Sequence, residues 1–247
     1  MQVLVLFEDE YFNLENTEYF ADDKKIEVGA FCTNHLSGVI NPNHCIEEYI
    51  DDRVNVILYE RFFNWEIAAG NYLVKNSEFG MKFLQEWANF EFRLPNSWHG
   101  YDQGPLQVTL RDVTLRYLGC YLLLLLKLLI PESTLEYEAC ERYWKNATSY
   151  ETYMAMVYCV RQALGVTKTW PGKVHILRKF HGFVRDGWAT NGYWCKADFM
   201  LHGWKEAKLN ETPFEKDIDL KLCDKGLKAW KWQKEKKVSV ERLRYVV

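Results

Sequence analysis

Two short segments of this chain carry residue types that could act on a bound ligand. In the first, Asp102 and Gln103 place a carboxylate and an amide between Gly100 and Gly104, after a long aromatic stretch. The pair could orient an acceptor hydroxyl and take its proton, because a positioned carboxylate can act as a general base. The glycines would let the backbone approach a ligand closely. An Asx-turn or a helix N-cap would use Asp102 equally well, so the pattern leaves both interpretations open.

The second segment is His202-Gly203-Trp204-Lys205, which follows the apolar run 199–201. An imidazole, an unobstructed N–H at Gly203 and the ammonium of Lys205 all suit a diphosphate, and His202 could also ligate a metal. Trp204 could form a wall of the cavity. A histidine in an aromatic setting is also commonly a hydrogen-bonded structural residue. Together the two segments favour an anion site, in which a metal ion could take part.

Two further charged patterns have both functional and structural interpretations. Arg185 and Asp186 precede Gly187-Trp188 and predict either a ligand contact or a local ion pair. Lysines interleaved with Trp230 and Trp232 near the end of the chain could meet phosphates and stack bases. No recognised nucleic-acid-binding motif accompanies them, so we predict a solvated, partly helical tail and no nucleic-acid partner.

The elements that must position these residues follow an α/β order. The net charge of −3 gives no global field that would favour nucleic acid. Continuous apolar runs predict buried strands of a parallel sheet, and apolar residues at helical spacing predict helices. The predicted strands are 3–7, 54–59 and 174–177, and the predicted helices are 45–50, 78–92, 135–143 and 150–164. Asn76-Ser77 is the predicted cap of the second helix. The predicted core positions of the last helix are Tyr153, Met156, Val160 and Leu164.

A leucine-rich stretch, 117–130, is the one candidate for a membrane segment. As a helix it would span roughly 21 Å, which is short of a hydrocarbon core of about 30 Å. Lys127 lies inside it. We therefore predict a buried helix, with an anchor or a non-native insertion as alternatives. No signal peptide is visible, since acidic residues follow the first apolar run at once.

The cysteines and the N-glycosylation triplets do not identify the cellular compartment of this chain. The seven cysteines include no C-x-x-C pair, which argues against a structural zinc site of the usual spacing. The triplets Asn146-Ala147-Thr148 and Asn210-Glu211-Thr212 could accept glycans if the chain entered the secretory pathway. No P-loop, G-x-G-x-x-G, H-E-x-x-H or G-x-S-x-G motif occurs, so those enzyme classes lose support.

Several long motifs occur in an order that resembles a known family. They are GVINPNHCIEEYID, ILYERFFNWEIAAGNYLVKNSEF, FLQEWANFEFRLPNSWHGYDQG, VRDGWATNGYW and DFMLHGWKE. The chain resembles the nematode domain of unknown function 273, which we place among GT-A glycosyltransferases, near the galactomannan-type α-galactosyltransferases. The resemblance covers 38–107 and 135–206.

The resemblance implies an α/β fold with a GT-A-like, Rossmann-type mixed sheet flanked by helices, and a reaction. A hexose, galactose-like, would pass from a UDP- or GDP-sugar to a glycan or glycoprotein acceptor in the Golgi lumen. A D-x-D pair and a later histidine would hold Mn²⁺ against the donor diphosphate. By motif position His202 would be that metal ligand, Lys205 a diphosphate contact, and Asp102-Gln103 the acceptor-side pair. The stretch 68–71, with Gly70 and Asn71, would line the donor sugar pocket.

The chain departs from this family pattern in three places. Where the family has a strand ending in D-x-D, this sequence has Phe31-Cys32-Thr33-Asn34-His35-Leu36-Ser37. Segment 15–37 is atypical because it stands in place of a helix and the D-x-D strand, as if part of the N-terminal half were missing. Segment 111–130 is atypical because it looks like extra sequence at a place where the family proceeds directly to the next element. We therefore predict a GT-A-like domain over 1–215, a basic extension over 216–247, and one of two functions. The first is a glycosyltransferase, active or impaired; the alternative is a non-catalytic relative that binds a nucleotide sugar or glycan.

Overall fold

The computed structural model describes residues 3–7, 37–41, 44–68, 71–90, 122–202 and 236–245, which form a mixed α/β fold. The strands are β1 (Val3–Phe7), β2 (Ser37–Val39), β3 (Val56–Tyr59), β4 (Asn71–Lys75), β5 (Thr169–Trp170), β6 (Val174–Leu177), β7 (Val184–Asp186) and β8 (Met200–His202). The helices are α1 (Glu78–Phe90), α2 (122–129), α3 (Thr134–Lys145), α4 (Tyr150–Leu164) and α5 (Val240–Arg244). Short 3₁₀ helices cover Ile46–Tyr49 and Trp188–Thr190. The predicted α/β class is thus confirmed.

The strands form two sheets of mixed direction. The first has the order β1-β4-β3-β6-β5, and the second has the order β2-β8-β7. In the first sheet β3 runs parallel to β6 and antiparallel to β4, and in the second β7 runs parallel to β8. Because β3, β6, β7 and β8 end close to residues that carry charge, the carboxyl ends of these parallel pairs are where a ligand would be expected.

One sequence prediction about the sheet was wrong. We expected β1 to belong to a parallel arrangement, but it pairs antiparallel with β4, from Val3 opposite Lys75 to Phe7 opposite Asn71. A continuous apolar run indicates a strand covered on both faces and does not specify its direction. Direction depends on how the connection returns, and the short connection from β3 to β4 makes that pair antiparallel as well.

The helices build the main core against the first sheet as their periodicity predicts. Helix α1 begins after Ser77, whose Oγ accepts a hydrogen bond from Gly80 N at 3.1 Å, and it buries Phe83 and Trp87. Helix α4 has the predicted bounds, and its predicted core positions are buried: Tyr153, Met156, Val160 and Leu164. Their apolar side chains stabilise the fold by removing surface from water.

The leucine run forms a buried helix, as predicted. Leu122 to Leu126 are each at most 1% exposed and belong to the same core as α4. No helix among the described residues is long and apolar enough to cross a membrane. The part of segment 111–130 that the structure describes is therefore an integral piece of the core.

A disulfide joins helices α3 and α4. Cys140 of α3 is bonded to Cys159 of α4, and Cys45 is also disulfide-bonded. Disulfides form and persist mainly in oxidising compartments. The spacing of the cysteines alone did not indicate a compartment, whereas disulfide bonds are typical of an oxidising one.

The last described segment packs on the domain. Trp194 N donates to Lys236 O at 3.1 Å, Val238 N donates to Trp194 O at 2.8 Å, and Leu243 of α5 is 0% exposed. The expected helical character is present and most side chains of 236–245 are exposed, but the buried Leu243 anchors α5 to the domain. Residues 203–235, including Trp230, Trp232 and the predicted boundary at 215, lie outside the described residues.

Candidate functional site

The structure places four of the predicted site residues at strand ends. Asn71 begins β4, Asp186 ends β7 next to Arg185, and His202 ends β8. Because β4 is antiparallel to β3, Asn71 lies at the same edge of the first sheet as the carboxyl end of β3. The other predicted site residues lie outside the described residues: Gly70, Gly100, Asp102, Gln103, Gly203, Trp204 and Lys205.

Asp186 and His202 are neighbours on adjacent parallel strands. They are opposite each other in the register of β7 and β8, and Gly187 N donates to His202 O at 2.8 Å. Residues opposite each other in a sheet place their side chains on the same face. Asp186 is 3% exposed, whereas His202 is partly exposed. The imidazole is thus the member of the pair that a ligand could reach.

The Arg61 guanidinium ties the end of β3 to the end of β7. Its Nη2 donates to Asp186 Oδ1 at 2.7 Å, and its Nη1 donates to Glu66 Oε2 at 3.2 Å. The Arg61 side chain is 17% exposed, while those of Glu66 and Asp186 are 5% and 3% exposed. We call Arg61, Glu66, Asp186 and His202 the carboxyl-edge cluster. It joins the carboxyl ends of strands from both sheets.

Glu66 connects this cluster to helix α4. Tyr153 Oη donates to Glu66 Oε1 at 3.0 Å, and Asn64 Nδ2 donates to Glu66 Oε2 at 2.6 Å. The backbone N of Glu66 in turn donates to Asn64 Oδ1 at 3.0 Å. A buried carboxylate is tolerated only when such partners replace water. The loop after β3 is therefore held in one arrangement from both sides.

The charges of the cluster shift the pKa values of its members. Burial favours a raised pKa at Asp186, but the adjacent positive charge of Arg61 and its hydrogen bonds outweigh burial, so the Asp186 pKa lies below its usual range. His202 adds to this lowering. Burial next to Glu66 raises the pKa of Tyr153 well above its usual value. Asp186 is consequently a carboxylate at neutral pH, and Tyr153 is a neutral hydroxyl donor.

A second ionic group fixes the beginning of the same loop. Glu60 forms ion pairs with Arg161 of α4 and with Lys168, and it accepts a hydrogen bond from Lys179 N at 3.2 Å. Burial would raise the Glu60 pKa, but Lys168 and Arg161 outweigh it and lower that pKa. Glu60 and Arg61 thus anchor consecutive positions after β3 to different partners.

Arg185 lies in an internal ion pair. Its Nε and Nη2 donate to the two oxygens of Asp198 at 2.7 and 2.9 Å, and its Nη1 donates to Thr190 Oγ1 at 2.7 Å. Nη2 also donates to Tyr193 O at 2.8 Å, and the residue is 5% exposed. The structure therefore contains the ion pair that was one of two sequence interpretations. A substrate contact by Arg185 stays a prediction.

Aromatic rings border the loop that follows β3. The Phe63 and Trp188 rings have centroids 4.5 Å apart, and the Arg61 guanidinium lies 4.9 Å from the Phe63 centroid. Trp65 is 53% exposed, and Lys179 Nζ lies 5.1 Å from its ring centroid. These exposed rings give the edge an amphipathic border beside its charged interior.

The described residues do not by themselves fit a Mn²⁺ site. No group of three His, Cys, Asp or Glu residues within the described ranges could hold a metal ion. His202 and Asp186 are adjacent donors, but the Asp186 carboxylate is already paired with Arg61. Mn²⁺ favours several oxygen ligands. A metal there would need further ligands from outside the described residues, and the metal role of His202 stays a prediction.

Sequence reasoning missed the residues that organise this edge. Arg61 and Glu66 did not enter the predicted site, and Tyr153 was expected only as a core residue. One local signal was present, because Glu60 and Arg61 follow a strand of four buried residues directly. Charges at the carboxyl end of a buried strand indicate either a ligand site or an internal ion pair.

Comparison with known proteins identifies a family and nothing finer. Residues 30–219 match the model of a family described as Protein of unknown function, DUF273, which covers well over half of the chain. No curated protein matches the chain, and no solved structure matches it.

Proposed function

For this chain, which belongs to the family Protein of unknown function, DUF273, we propose transfer of a hexose, galactose-like, from a UDP- or GDP-sugar to a glycan or glycoprotein. In this proposal the fold is of the GT-A type. The observation that carries the proposal is the adjacency of Asp186 and His202 at the carboxyl ends of β7 and β8. This is the edge at which α/β sheets bind nucleotides and their phosphates.

In this proposal the carboxyl-edge cluster orients the His202 imidazole. A carboxylate next to a histidine orients its ring and so presents an N–H outward. Such an N–H can donate to a phosphate oxygen of the leaving diphosphate. Lys205, which follows three residues later, would add positive charge. The buried part of the cluster would hold the imidazole in place without meeting the substrate itself.

The transfer step follows ordinary displacement chemistry at the sugar. A bond forms between the acceptor oxygen and the anomeric carbon, and the bond from that carbon to the diphosphate oxygen breaks. The acceptor proton passes to the carboxylate of Asp102, while Gln103 orients the hydroxyl. The bond electrons leave with the diphosphate, whose negative charge His202 and Lys205 stabilise.

The disulfide supports a secretory location for this reaction. A bond between Cys140 and Cys159 persists in an oxidising lumen. Nucleotide-sugar-dependent transfer to glycoproteins in the Golgi lumen, as the resemblance implies, is compatible with that chemistry. We therefore include the Golgi lumen in the proposal.

A second candidate is a relative that binds a nucleotide sugar or glycan without turnover. It is favoured by the sequence Phe31 to Ser37, which stands where the resemblance expects D-x-D. It is also favoured by the described donors, which do not complete a metal site. Binding without transfer would distinguish it from the first proposal.

The test is calorimetric titration of the full chain with UDP and GDP, each with and without Mn²⁺, followed by a donor-hydrolysis assay. We expect one nucleotide to bind, His202→Ala to weaken binding at least tenfold, and Asp102→Asn to retain binding but lose turnover. His175→Ala, near the amino end of β6, is the matched control and should bind as wild type does. Wild-type affinity in His202→Ala would contradict the diphosphate role. Binding without turnover would favour the second candidate.

A further inference from the structure

The turn between α3 and α4 presents the sequon Asn146-Ala147-Thr148 to solvent. Asn146 caps the carboxyl end of α3 and is exposed, as is Thr148. Between them Ala147 is 2% exposed, and its N donates to Trp144 O at 3.1 Å. The buried alanine anchors the turn while the two residues that define the sequon stay outside.

The local hydrogen bonds are compatible with a substituent on the Asn146 side chain. Nδ2 of Asn146 donates to Arg142 O at 2.8 Å. A side-chain amide has two N–H donors, so one can be replaced by a sugar while the other keeps this bond. Tyr143, 53% exposed and three residues earlier on the helix, lies on the adjoining surface.

An independent observation indicates the compartment in which such a sequon is used. The disulfide between Cys140 and Cys159 joins the two helices that flank this turn. A disulfide of this kind indicates folding in an oxidising lumen. In eukaryotes that lumen is also where asparagine side chains in N-x-[ST] triplets are glycosylated.

We propose that Asn146 is an N-glycosylation site. The co-reactant is a lipid-linked oligosaccharide diphosphate, used by the host transferase. A bond forms between Asn146 Nδ2 and the anomeric carbon, and the bond from that carbon to the diphosphate oxygen breaks, with its electrons leaving on the diphosphate. The proton that Nδ2 loses passes to solvent. This modification does not rest on the proposed hexosyl transfer.

The experiment expresses the full chain behind a secretory leader in cultured eukaryotic cells. The background variant Asn210→Gln removes the second sequon, so that any remaining N-glycan must be on Asn146. Intact mass is measured before and after treatment with a peptide N-glycosidase. Thr148→Ser keeps the sequon and is matched to Thr148→Ala, which destroys it but leaves Asn146 in place.

We expect one glycosidase-sensitive glycan in the background variant and in Thr148→Ser, and none in Thr148→Ala. Peptide mapping of the secreted wild-type chain provides a second measurement that needs no variant. After glycosidase treatment, Asn146 should be recovered as aspartate. Unmodified Asn146 in the secreted wild type, or a background variant whose mass the glycosidase does not change, would overturn the proposal.

Discussion

Replacement of Arg185 by Met should strongly lower the free energy of unfolding, because Arg185 lies in a buried ion pair. The substitution leaves the Asp198 carboxylate, 9% exposed, without its bidentate partner. Removal of one member of a buried ion pair costs about 3 to 5 kcal/mol in free energy of unfolding. Thr190 Oγ1 and Tyr193 O lose donors as well. The free energy of unfolding of a typical domain is only about 5 to 15 kcal/mol, so this loss is a large fraction of it.

Urea unfolding of the oxidised full chain, followed by tryptophan fluorescence, measures this effect. The matched control is Arg53→Met, because the Arg53 side chain, which pairs with Asp51, is 76% exposed. We expect little change in that control. Arg185→Lys should fall between wild type and Arg185→Met, since an ammonium keeps the charge but cannot make the two parallel bonds.

A double-mutant cycle with Asp198→Asn isolates the pair. The loss in the double variant should be smaller than the sum of the two single losses, because both remove the same interaction. A free energy of unfolding for Arg185→Met within about 1 kcal/mol of the wild-type value would contradict this expectation, because the expected loss is larger. Wild-type stability combined with lost nucleotide binding would instead support Arg185 as a substrate contact.

Two further predictions concern His44 and the disulfide between Cys140 and Cys159. Burial would lower the His44 pKa, but hydrogen bonds to Glu48 and to Lys196 O outweigh burial and raise that pKa. The protonated imidazole therefore stabilises the folded state fully below about pH 6.5, and this stabilisation is lost as the pH rises through the His44 pKa of the folded protein. His44→Gln should therefore reduce the free energy of unfolding more at about pH 5.5 than at about pH 8.5, and equal losses at both would contradict this. Replacing Cys140 and Cys159 by Ala should cost about 3 kcal/mol, since the bond closes a loop of sequence separation 19. Unfolding curves of the double alanine variant and of the wild type, both without reductant because Cys45 is also disulfide-bonded, check this prediction. Identical curves would show that the bond between Cys140 and Cys159 does not contribute.

Local features were the part of the fold that sequence patterns predicted well. The bounds of α4 and β6 match their predicted ranges, and Ser77 caps α1. These features depend on apolar spacing and on side chains within a few residues of each other. The leucine run was also predicted correctly as a buried helix, because its length is too short for a membrane span.

The direction of β1 and the packing of α5 could not be obtained in this way. An apolar strand pairs in either direction, and a five-residue charged helix with only two apolar residues gives little amphipathic signal. Leu243 is fully buried, and backbone hydrogen bonds of Trp194 with Lys236 and Val238 hold the start of the last segment on the domain. Both outcomes depend on distant parts of the chain.

The α/β class, the main helices and strands, and the charged motifs that contain Asp186 and His202 follow from local patterns in the amino-acid sequence. That these two residues are neighbours, and that Arg61 pairs with Asp186 across 125 positions of the chain, is a property of the tertiary fold. The tertiary fold also pairs the Arg185 guanidinium with Asp198 inside the protein. Periodicity and capping are local properties of the chain. Which charges meet depends on how the sheets bring strand ends together, and burial then strengthens that pairing by excluding water.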